Sequence, residues 1–226
     1  MHSVSTILAR PLKMYFGLKG QALRQRIDEL MDLVRLPREL AERRPNELSG
    51  GQKQRINLAR ALAAKPDLIL CDEVTSALDT VVGAAILELL GDLRRELGVS
   101  YLFISHDIST VRALCDDIVV MYSGHKVEEG SCESFSKAPF HPYTDLLVSS
   151  VPELRQGWLE GCSSNCGKLP PTSAPARDTE LCTFLNRCPV RIEGLCNKTT
   201  PGRRQIGGGS EILCHRESAE LQGAQE

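Results

Sequence analysis

The sequence predicts an α/β fold, because stretches with helical periodicity alternate with short apolar runs. Apolar side chains recur at steps of three and four through residues 21–36, which is typical of one face of a helix. Residues 68–71 form an apolar run followed by two acids, which suits a buried parallel strand. Helix, strand, helix and strand follow at residues 81–97, 100–105, 108–115 and 117–122. We therefore expect helices packed against a parallel sheet.

Bulk composition excludes several classes of protein. The 226 residues are 42% hydrophobic and 25% charged, which is ordinary for a soluble globular chain with one domain and an appendage. A formal net charge of −2 gives no basic field for nucleic acid, so we expect no nucleic-acid partner. No run approaches the roughly 18–20 apolar residues of a membrane span. The N-terminus also lacks the layout of a signal peptide, which favours a cytoplasmic location.

The character of the sequence changes near residue 150. We expect one domain over residues 1–150 and a small, irregular, Cys-rich region over residues 151–226, where Gly, Pro, Ser and Cys dominate. Six of the nine cysteines fall within residues 162–214, and in a reducing compartment such crowding favours metal or cluster binding over disulfides. The other three are expected to act as small apolar residues: Cys71, Cys115 and Cys132.

Four short motifs carry the functional signal. They are Ser49-Gly50-Gly51-Gln52, Asp72-Glu73, Ser76-Ala-Leu-Asp79 and Ser105-His106-Asp107. Each has a plain reading alone, as a turn or as acids after a strand. Ser105-His106-Asp107 is no hydrolase triad, because triad members converge from distant positions. In this order and spacing the motifs resemble the signature, Walker B, D-loop and switch histidine of an ATP-binding cassette (ABC) ATPase. The resemblance implies a RecA-like, P-loop NTPase-like core (about residues 65–130) and a helical subdomain (about residues 1–64).

The resemblance also implies roles for these residues. Asp72 would hold Mg²⁺ through water, Glu73 would polarise the hydrolytic water and His106 would touch the γ-phosphate of ATP. Asp79 would lie at the dimer seam, and a proline is usual in the family where Val74 stands.

The signature loop has a physical logic of its own. Ser49 can cap the following helix, Gly50 and Gly51 allow close approach, and the positive helix end attracts phosphate. In the resembled family this loop, with Gln52, binds the nucleotide held by the opposite subunit.

The motif that should precede all of these is missing. No stretch reads Gly-x-x-x-x-Gly-Lys-Ser/Thr, the P-loop whose amides and lysine hold the phosphates. The resemblance covers residues 4–216, and residues 7–12 look like the segment after the Q-loop. We therefore expect a cassette incomplete at its N-terminus, by truncation or as a fragment of a longer protein. Alone, it should not bind ATP tightly.

Two later stretches narrow the family. Pro139-Phe-His141-Pro142-Tyr143-Thr144, followed by Ser150-Val-Pro152, resembles the end of the cassette in oligopeptide, dipeptide and nickel importers. The alternative is a plain proline-rich turn before a helix.

The second stretch holds four cysteines in the pattern of the same family: Cys182, Cys188, Cys196 and Cys214. The resemblance implies ligands of a [4Fe–4S] cluster. Zinc bound by four cysteines, or by three and His215, is the chemical competitor, and four free thiols are the plain alternative. Cys162 and Cys166 have no assigned role.

Taken together, the resemblance implies the ATP-binding, ATP-hydrolysing subunit of a peptide-type ABC importer. It would dimerise head to tail with a second cassette, dock on membrane permeases and serve an external solute-binding protein indirectly. Its place would be peripheral, at the cytoplasmic face of the inner membrane. One alternative is a degenerate, non-catalytic cassette fragment that only binds a partner. Another is a soluble cassette protein of DNA repair or translation, which would lack both later stretches.

Overall fold

The computed structural model describes residues 2–151 and 181–225, which form two compact units, Met1–His106 and Asp107–Glu226. The helices are α1 Val4–Phe16, α2 Gly20–Leu33, α3 Gly50–Leu62, α4 Thr80–Leu97, α5 Ile108–Leu114, α6 Pro142–Ser149 and α7 Ser218–Gln225. The strands are β1 Leu68–Asp72, β2 Ser100–Ile104, β3 Asp117–Tyr122, β4 His125–Ser131, β5 Arg203–Gln205 and β6 Glu211–Leu213. No helix of the described segments has the length and apolarity that crossing a bilayer requires.

The first unit is built on helices whose ends are specified locally. Ser3, Ser49 and Asp79 each cap a helix, with a side-chain oxygen that accepts a hydrogen bond from a backbone N–H of the first turn. Gly17 and Gly98 end α1 and α4 in the left-handed conformation. Apolar residues at helical spacing then form the core of this unit. They include Leu8, Leu12, Leu30, Met31, Ala59, Ile86, Leu89, Leu90 and Leu93.

The sheet of the first unit is a parallel pair, β1 and β2, with Leu70 opposite Leu102. One face of β1 is buried through Ile69 and Cys71, whereas Leu68 and Leu70 are exposed. The prediction of a buried strand is therefore wrong for one face. Cys71 fulfils its prediction as a small buried residue.

The second unit contains a four-stranded sheet in the order β3-β4-β6-β5, with every neighbouring pair antiparallel. The prediction that β3 joins the parallel sheet is wrong. Ser123 and Gly124, both with positive φ, form a two-residue turn that folds β4 directly back on β3.

The Cys-rich region contributes regular structure to the second unit. Its strand β6 pairs with β4, and Phe184 packs against the rings of Tyr122 and Tyr143. The region is therefore less irregular than its composition predicts. The compact units meet at residue 106, and the boundary proposed near residue 150 stays a prediction.

A buried polar junction fastens the His-Pro-Tyr-Thr segment to β4. The His141 amide donates to Glu128 Oε2 at 2.8 Å, and His141 Nδ1 accepts from the Tyr143 amide at the start of α6. Glu128, His141, Thr144 and Ser210 are all buried. The segment is therefore more than a surface turn, because its backbone and its side chains are fixed to the sheet.

Burial shifts the pKa values of both titratable groups of this junction. Desolvation raises the pKa of Glu128 to about 7, against the hydrogen bond that it accepts from the His141 amide. Desolvation lowers the pKa of His141 to about 4, opposed by a hydrogen bond with the Leu213 backbone. Both groups therefore favour their neutral forms in the folded chain.

The pKa shifts of these two groups predict that the free energy of unfolding changes with pH in opposite directions. The contribution of Glu128 is present below pH 4.5 and is lost as the pH rises through about 7. The contribution of His141 is present above pH 6.5 and is lost as the pH falls through about 4. Because the two pH ranges overlap, we expect the contributions of the two groups to the free energy of unfolding to offset each other in the unsubstituted chain.

Replacing one of the two groups should reveal the pH dependence of stability that the other group causes. With Glu128→Gln, the free energy of unfolding should rise with pH between about 4 and 6.5, by roughly 3 kcal/mol. With His141→Asn, which keeps a capping side chain, it should fall between about 4.5 and 7. Urea denaturation followed by circular dichroism checks both, and slopes of the same sign in the two variants would contradict the assignment.

Candidate functional site

The ends of β1 and β2 bring two predicted site residues together. The Glu73 amide donates to the Ile104 carbonyl at 2.9 Å, so the chain leaves both strands at the same edge. His106 Nδ1 then lies 3.1 Å from Glu73 Oε1, and both side chains are exposed. Asp72, the last residue of β1, lies beside them in sequence and is also exposed. This edge therefore presents two carboxylates and an imidazole to solvent.

Glu73 has a backbone conformation that the sequence does not reveal. Its φ is 46°, in the left-handed region that non-glycine residues rarely adopt. The carbonyl of Glu73 accepts hydrogen bonds from the Ser76 amide at 3.2 Å and from Ser76 Oγ at 2.9 Å. These contacts hold the turn that follows β1 and so help to place the carboxylate next to His106.

Ser49 and Gln52 form a reciprocal cap at the start of α3. Ser49 Oγ accepts from the Gln52 amide at 3.3 Å, and Gln52 Oε1 accepts from the Ser49 amide at 2.9 Å. The arrangement fixes the loop while the first amides of the helix point outward at its positive end. A phosphate group is the kind of ligand that such a helix end can bind.

The start of α3 packs tightly against the start of α4. A Cβ at position 51 would lie 2.5 Å from Val82 Cγ1, and one at position 50 would lie 3.3 Å from Leu78 Cδ2. Asp79, predicted at a dimer seam, caps α4 by accepting from the Val82 amide at 3.0 Å. The glycines therefore bring the signature loop and the Ser76–Asp79 turn together within one chain. The sequence suggested close approach at these glycines but not the partner.

Four thiols of the second unit line one small cavity of about 20 Å³ beside His141 and His215. They are Cys182, Cys188, Cys196 and Cys214. Burial, reinforced by Cys214, Cys182 and Cys196, raises the pKa of Cys188 to about 12. Burial likewise raises the pKa of Cys182 and Cys214. Burial therefore favours the neutral form of these three thiols.

The four thiols converge on this cavity, but they are not arranged as a metal site. Within residues 2–151 and 181–225, no group of three or more His, Cys, Asp or Glu side chains is arranged to hold a metal ion. His215 Nε2 lies 3.0 Å from the Thr199 carbonyl, and Cys196 Sγ accepts from the Ile192 amide. The resemblance predicts an iron–sulfur or zinc site. In the structure the thiols surround one cavity but do not form a metal site. Cys162 and Cys166 lie outside the described residues.

The contact between Gly51 and Val82 leads to a testable prediction. Gly51→Ala should lower the free energy of unfolding by about 1–3 kcal/mol, because the added methyl overlaps Val82. Gly91→Ala is the matched control within a helix, since a Cβ there approaches only Arg95 Nη1, at 3.8 Å. It should leave stability unchanged or raise it by up to about 1 kcal/mol.

Urea denaturation measures both variants. Adding Val82→Ala to Gly51→Ala should recover part of the loss, because it removes the atom in conflict. A Gly51→Ala chain as stable as the parent would show that α3 and α4 do not pack this closely.

Comparison with known proteins agrees with the motifs. The family model described as "ABC transporter" matches residues 4–76, and the model "Oligopeptide/dipeptide transporter, C-terminal region" matches residues 127–196. A Brucella abortus protein named for peptide import and ATP binding is 41% identical over 212 residues, 94% of this chain and 61% of the relative. The oligopeptide transport ATP-binding protein of Escherichia coli is 40% identical over 202 residues, 88% of this chain and 59% of the relative. The chain thus spans about three-fifths of the length of these relatives.

Solved structures give the same result for the fold. An ATP-binding cassette in a dimeric post-hydrolysis state, bound to ADP and phosphate, is 34% identical with a TM-score of 0.53. That match covers 58% of this chain and 57% of the cassette. A metal-chelate type ABC transporter in an inward-facing conformation is 29% identical with a TM-score of 0.55, covering 60% of this chain and 55% of the other. The chain therefore contains part of an ABC transporter domain and part of the oligopeptide/dipeptide transporter C-terminal region, and it is similar to ATP-binding subunits of peptide transporters.

Proposed function

We propose that the chain is part of the ATP-binding subunit of a peptide-type ABC importer, which couples ATP hydrolysis to the import of peptides or related solutes. One observation carries the proposal: a capped signature loop and a Glu73–His106 pair occur in one compact unit. Relatives named for peptide, dipeptide and oligopeptide transport support the solute class. Because these relatives are longer, the activity of a whole subunit is part of the proposal.

In this proposal the residues at the strand ends act on ATP held with the help of a P-loop. Asp72 holds Mg²⁺ through water, Glu73 orients the attacking water and His106 contacts the γ-phosphate. Exposed carboxylate oxygens fit Mg²⁺, which keeps several waters of its own and neutralises phosphate charge when bound. Phosphoryl transfer needs positioning and charge neutralisation above all, and these residues offer both.

The signature loop acts on a second nucleotide. Ser49, Gly50, Gly51 and Gln52 bind the phosphates of ATP on an opposite cassette, and Asp79 lies near the seam between the two. The outward first amides of α3 support this role, as does the dimeric state of the cassette to which the chain is similar. The chain therefore offers a complete signature loop to the site of a partner, whereas its own site requires a P-loop from elsewhere.

The remaining partners are membrane permeases and, through them, an external solute-binding protein. Such a subunit lies at the cytoplasmic face of the inner membrane as a peripheral protein. Three exposed apolar side chains at the end of α1 support docking on another protein by the helical subdomain: Met14, Tyr15 and Phe16.

A second candidate function is a non-catalytic cassette fragment that only binds a partner cassette. The capped signature loop supports it, because this loop can contact the nucleotide of a partner without a P-loop of its own. The two candidates differ in whether the chain changes the ATPase rate of that partner.

The ATPase rate of a P-loop-bearing partner cassette tests the proposal. The isolated chain should show no ATPase activity, and adding it should raise the rate of the partner. Ser49→Asp should reduce this stimulation at least about 10-fold, because aspartate caps a helix as well as serine does but repels phosphate. Ser3→Asp, a matched change at the cap of α1, should leave the stimulation intact.

Two outcomes would count against this proposal. ATPase activity of the isolated chain would contradict the incomplete site. No effect on any partner cassette, combined with binding to it, would favour the non-catalytic fragment.

The proposal extends to the four thiols of the Cys-rich region, which we assign as ligands of a [4Fe–4S] cluster, with zinc as the alternative. Their convergence on one cavity supports this assignment. The cavity of about 20 Å³ offers space for about one water molecule, so the thiols must move apart to accept a cluster.

Visible absorption and metal analysis of anaerobically purified protein test this assignment. A cluster should give a brown protein that Cys188→Ser bleaches, whereas Cys132→Ser, outside the cavity, should leave the colour unchanged. A colourless protein with one zinc lost in Cys188→Ser would identify zinc. A colourless and metal-free protein would leave four free thiols and contradict both.

A further inference from the structure

The second unit contains a cavity of about 270 Å³ between α6 and α7. Its walls are mainly apolar and include Leu146 of α6, Leu221 of α7 and the ring of Phe184. Phe184 and Leu221 are each 1% exposed, so the packing of the unit fixes these walls. A concave site with apolar walls and a few polar groups is the usual form of a small-molecule site.

Three polar side chains line the same cavity: Asp145, Ser149 and Gln225. Two of them already have partners. Gln225 Oε1 accepts from the Phe140 amide at 2.9 Å, and Gln225 Nε2 donates to the Phe140 carbonyl at 2.8 Å. Ser149 Oγ donates to the Leu146 carbonyl at 3.2 Å. These contacts satisfy both side chains and tie α7 to the segment that precedes α6.

Asp145 differs from these two side chains. It is half-buried, and within residues 2–151 and 181–225 no hydrogen bond or ion pair reaches its carboxylate. Burial raises the pKa of Asp145. Its place in the first turn of α6 gives it a favourable interaction with the positive end of that helix, but no counter-charge. A carboxylate that is withdrawn from water without a partner favours a ligand of opposite charge.

We propose that this cavity binds a small primary amine with an apolar body, whose ammonium group pairs with Asp145. The ammonium group supplies the charge that the carboxylate lacks, and the apolar body replaces water against Leu146 and Phe184. The volume lies near the lower end of the range for ligand pockets, about 300–1,000 Å³, so the ligand is small. The residues assigned to nucleotide all lie in the first unit, so this inference goes beyond the proposed function and does not rest on it.

Titration of the full chain with 2-phenylethylamine tests the inference, and 2-phenylethanol is the neutral ligand of matched shape. Two-dimensional NMR spectra at neutral pH, where the amine is protonated, report the shifts of the α6 and α7 amides. We expect the amine to saturate these shifts with a Kd on the order of 1 mM, as suits a ligand of few atoms. The alcohol should bind about 10-fold more weakly, because it leaves the carboxylate unpaired.

Two variants separate the charge from the cavity. Asp145→Asn keeps the shape of the side chain and removes its charge, so it should weaken binding of the amine about 10-fold and leave the alcohol unchanged. Glu133→Gln is the matched control, since Glu133 is an exposed acid of the same unit outside this cavity, and it should change neither ligand. Ala224→Phe should block both ligands by filling the cavity. Ala224 is exposed, so this variant should stay folded.

Several results would overturn the inference. They are equal binding of the amine and the alcohol, equal binding of the amine by the parent and by Asp145→Asn, and unchanged binding by Ala224→Phe. Shifts confined to amides outside α6 and α7, or no saturable shift up to about 10 mM amine, would also overturn it. If Asp145→Asn weakened both ligands equally, Asp145 would serve only to stabilise α6, and the ion pair would be excluded.

Discussion

The parallel register of β1 against β2 is the constraint on which the candidate catalytic edge depends. It sets Asp72 opposite Ile104, so the amide of the next residue, Glu73, reaches the Ile104 carbonyl. A slip of one residue would turn every side chain of the strand to the other face. His106 follows β2 by two residues, and only this register brings its ring to the Glu73 carboxylate. The left-handed backbone of Glu73, which costs on the order of 1 kcal/mol, completes the arrangement.

The signature loop depends on a second local constraint, the close approach of α3 and α4. Ser49 and Asp79 each cap a helix, and Gly51 allows the two capped ends to meet through Val82. Helix caps thus do two things in this chain. They satisfy backbone amides and hold the loops that the family resemblance associates with nucleotide. A glycine that reads as a phosphate-binding residue is also required by packing within the chain.

Local patterns in the sequence predicted much of the first unit. Apolar spacing identified the buried side of α2 and α4, and Ser49 marked the start of α3 and Gly98 the end of α4. Both family models and the relatives confirm the resemblance of these motifs to an ABC ATP-binding cassette. The roles of individual site residues, Asp72 and Glu73 among them, stay predictions.

Features that depend on distant contacts were not predictable from the sequence. The apolar run of β1 predicts a buried strand and does not reveal that one face stays exposed, because exposure depends on what covers the sheet. No sequence pattern predicted the burial of Glu128, whose carboxylate the fold places next to the His141 amide. The family resemblance implied that the four cysteines converge but could not give the geometry of their sulfur atoms.

Nucleotide-dependent crosslinking tests most directly whether this chain and another cassette share a triphosphate. The chain would carry Ser49→Cys and the partner cassette a cysteine in its P-loop, with the partner's hydrolytic glutamate changed to glutamine to retain ATP. The account predicts a crosslinked heterodimer that forms with ATP and Mg²⁺ and is lost without nucleotide. No crosslink with ATP, or equal crosslinking with and without it, would contradict the account.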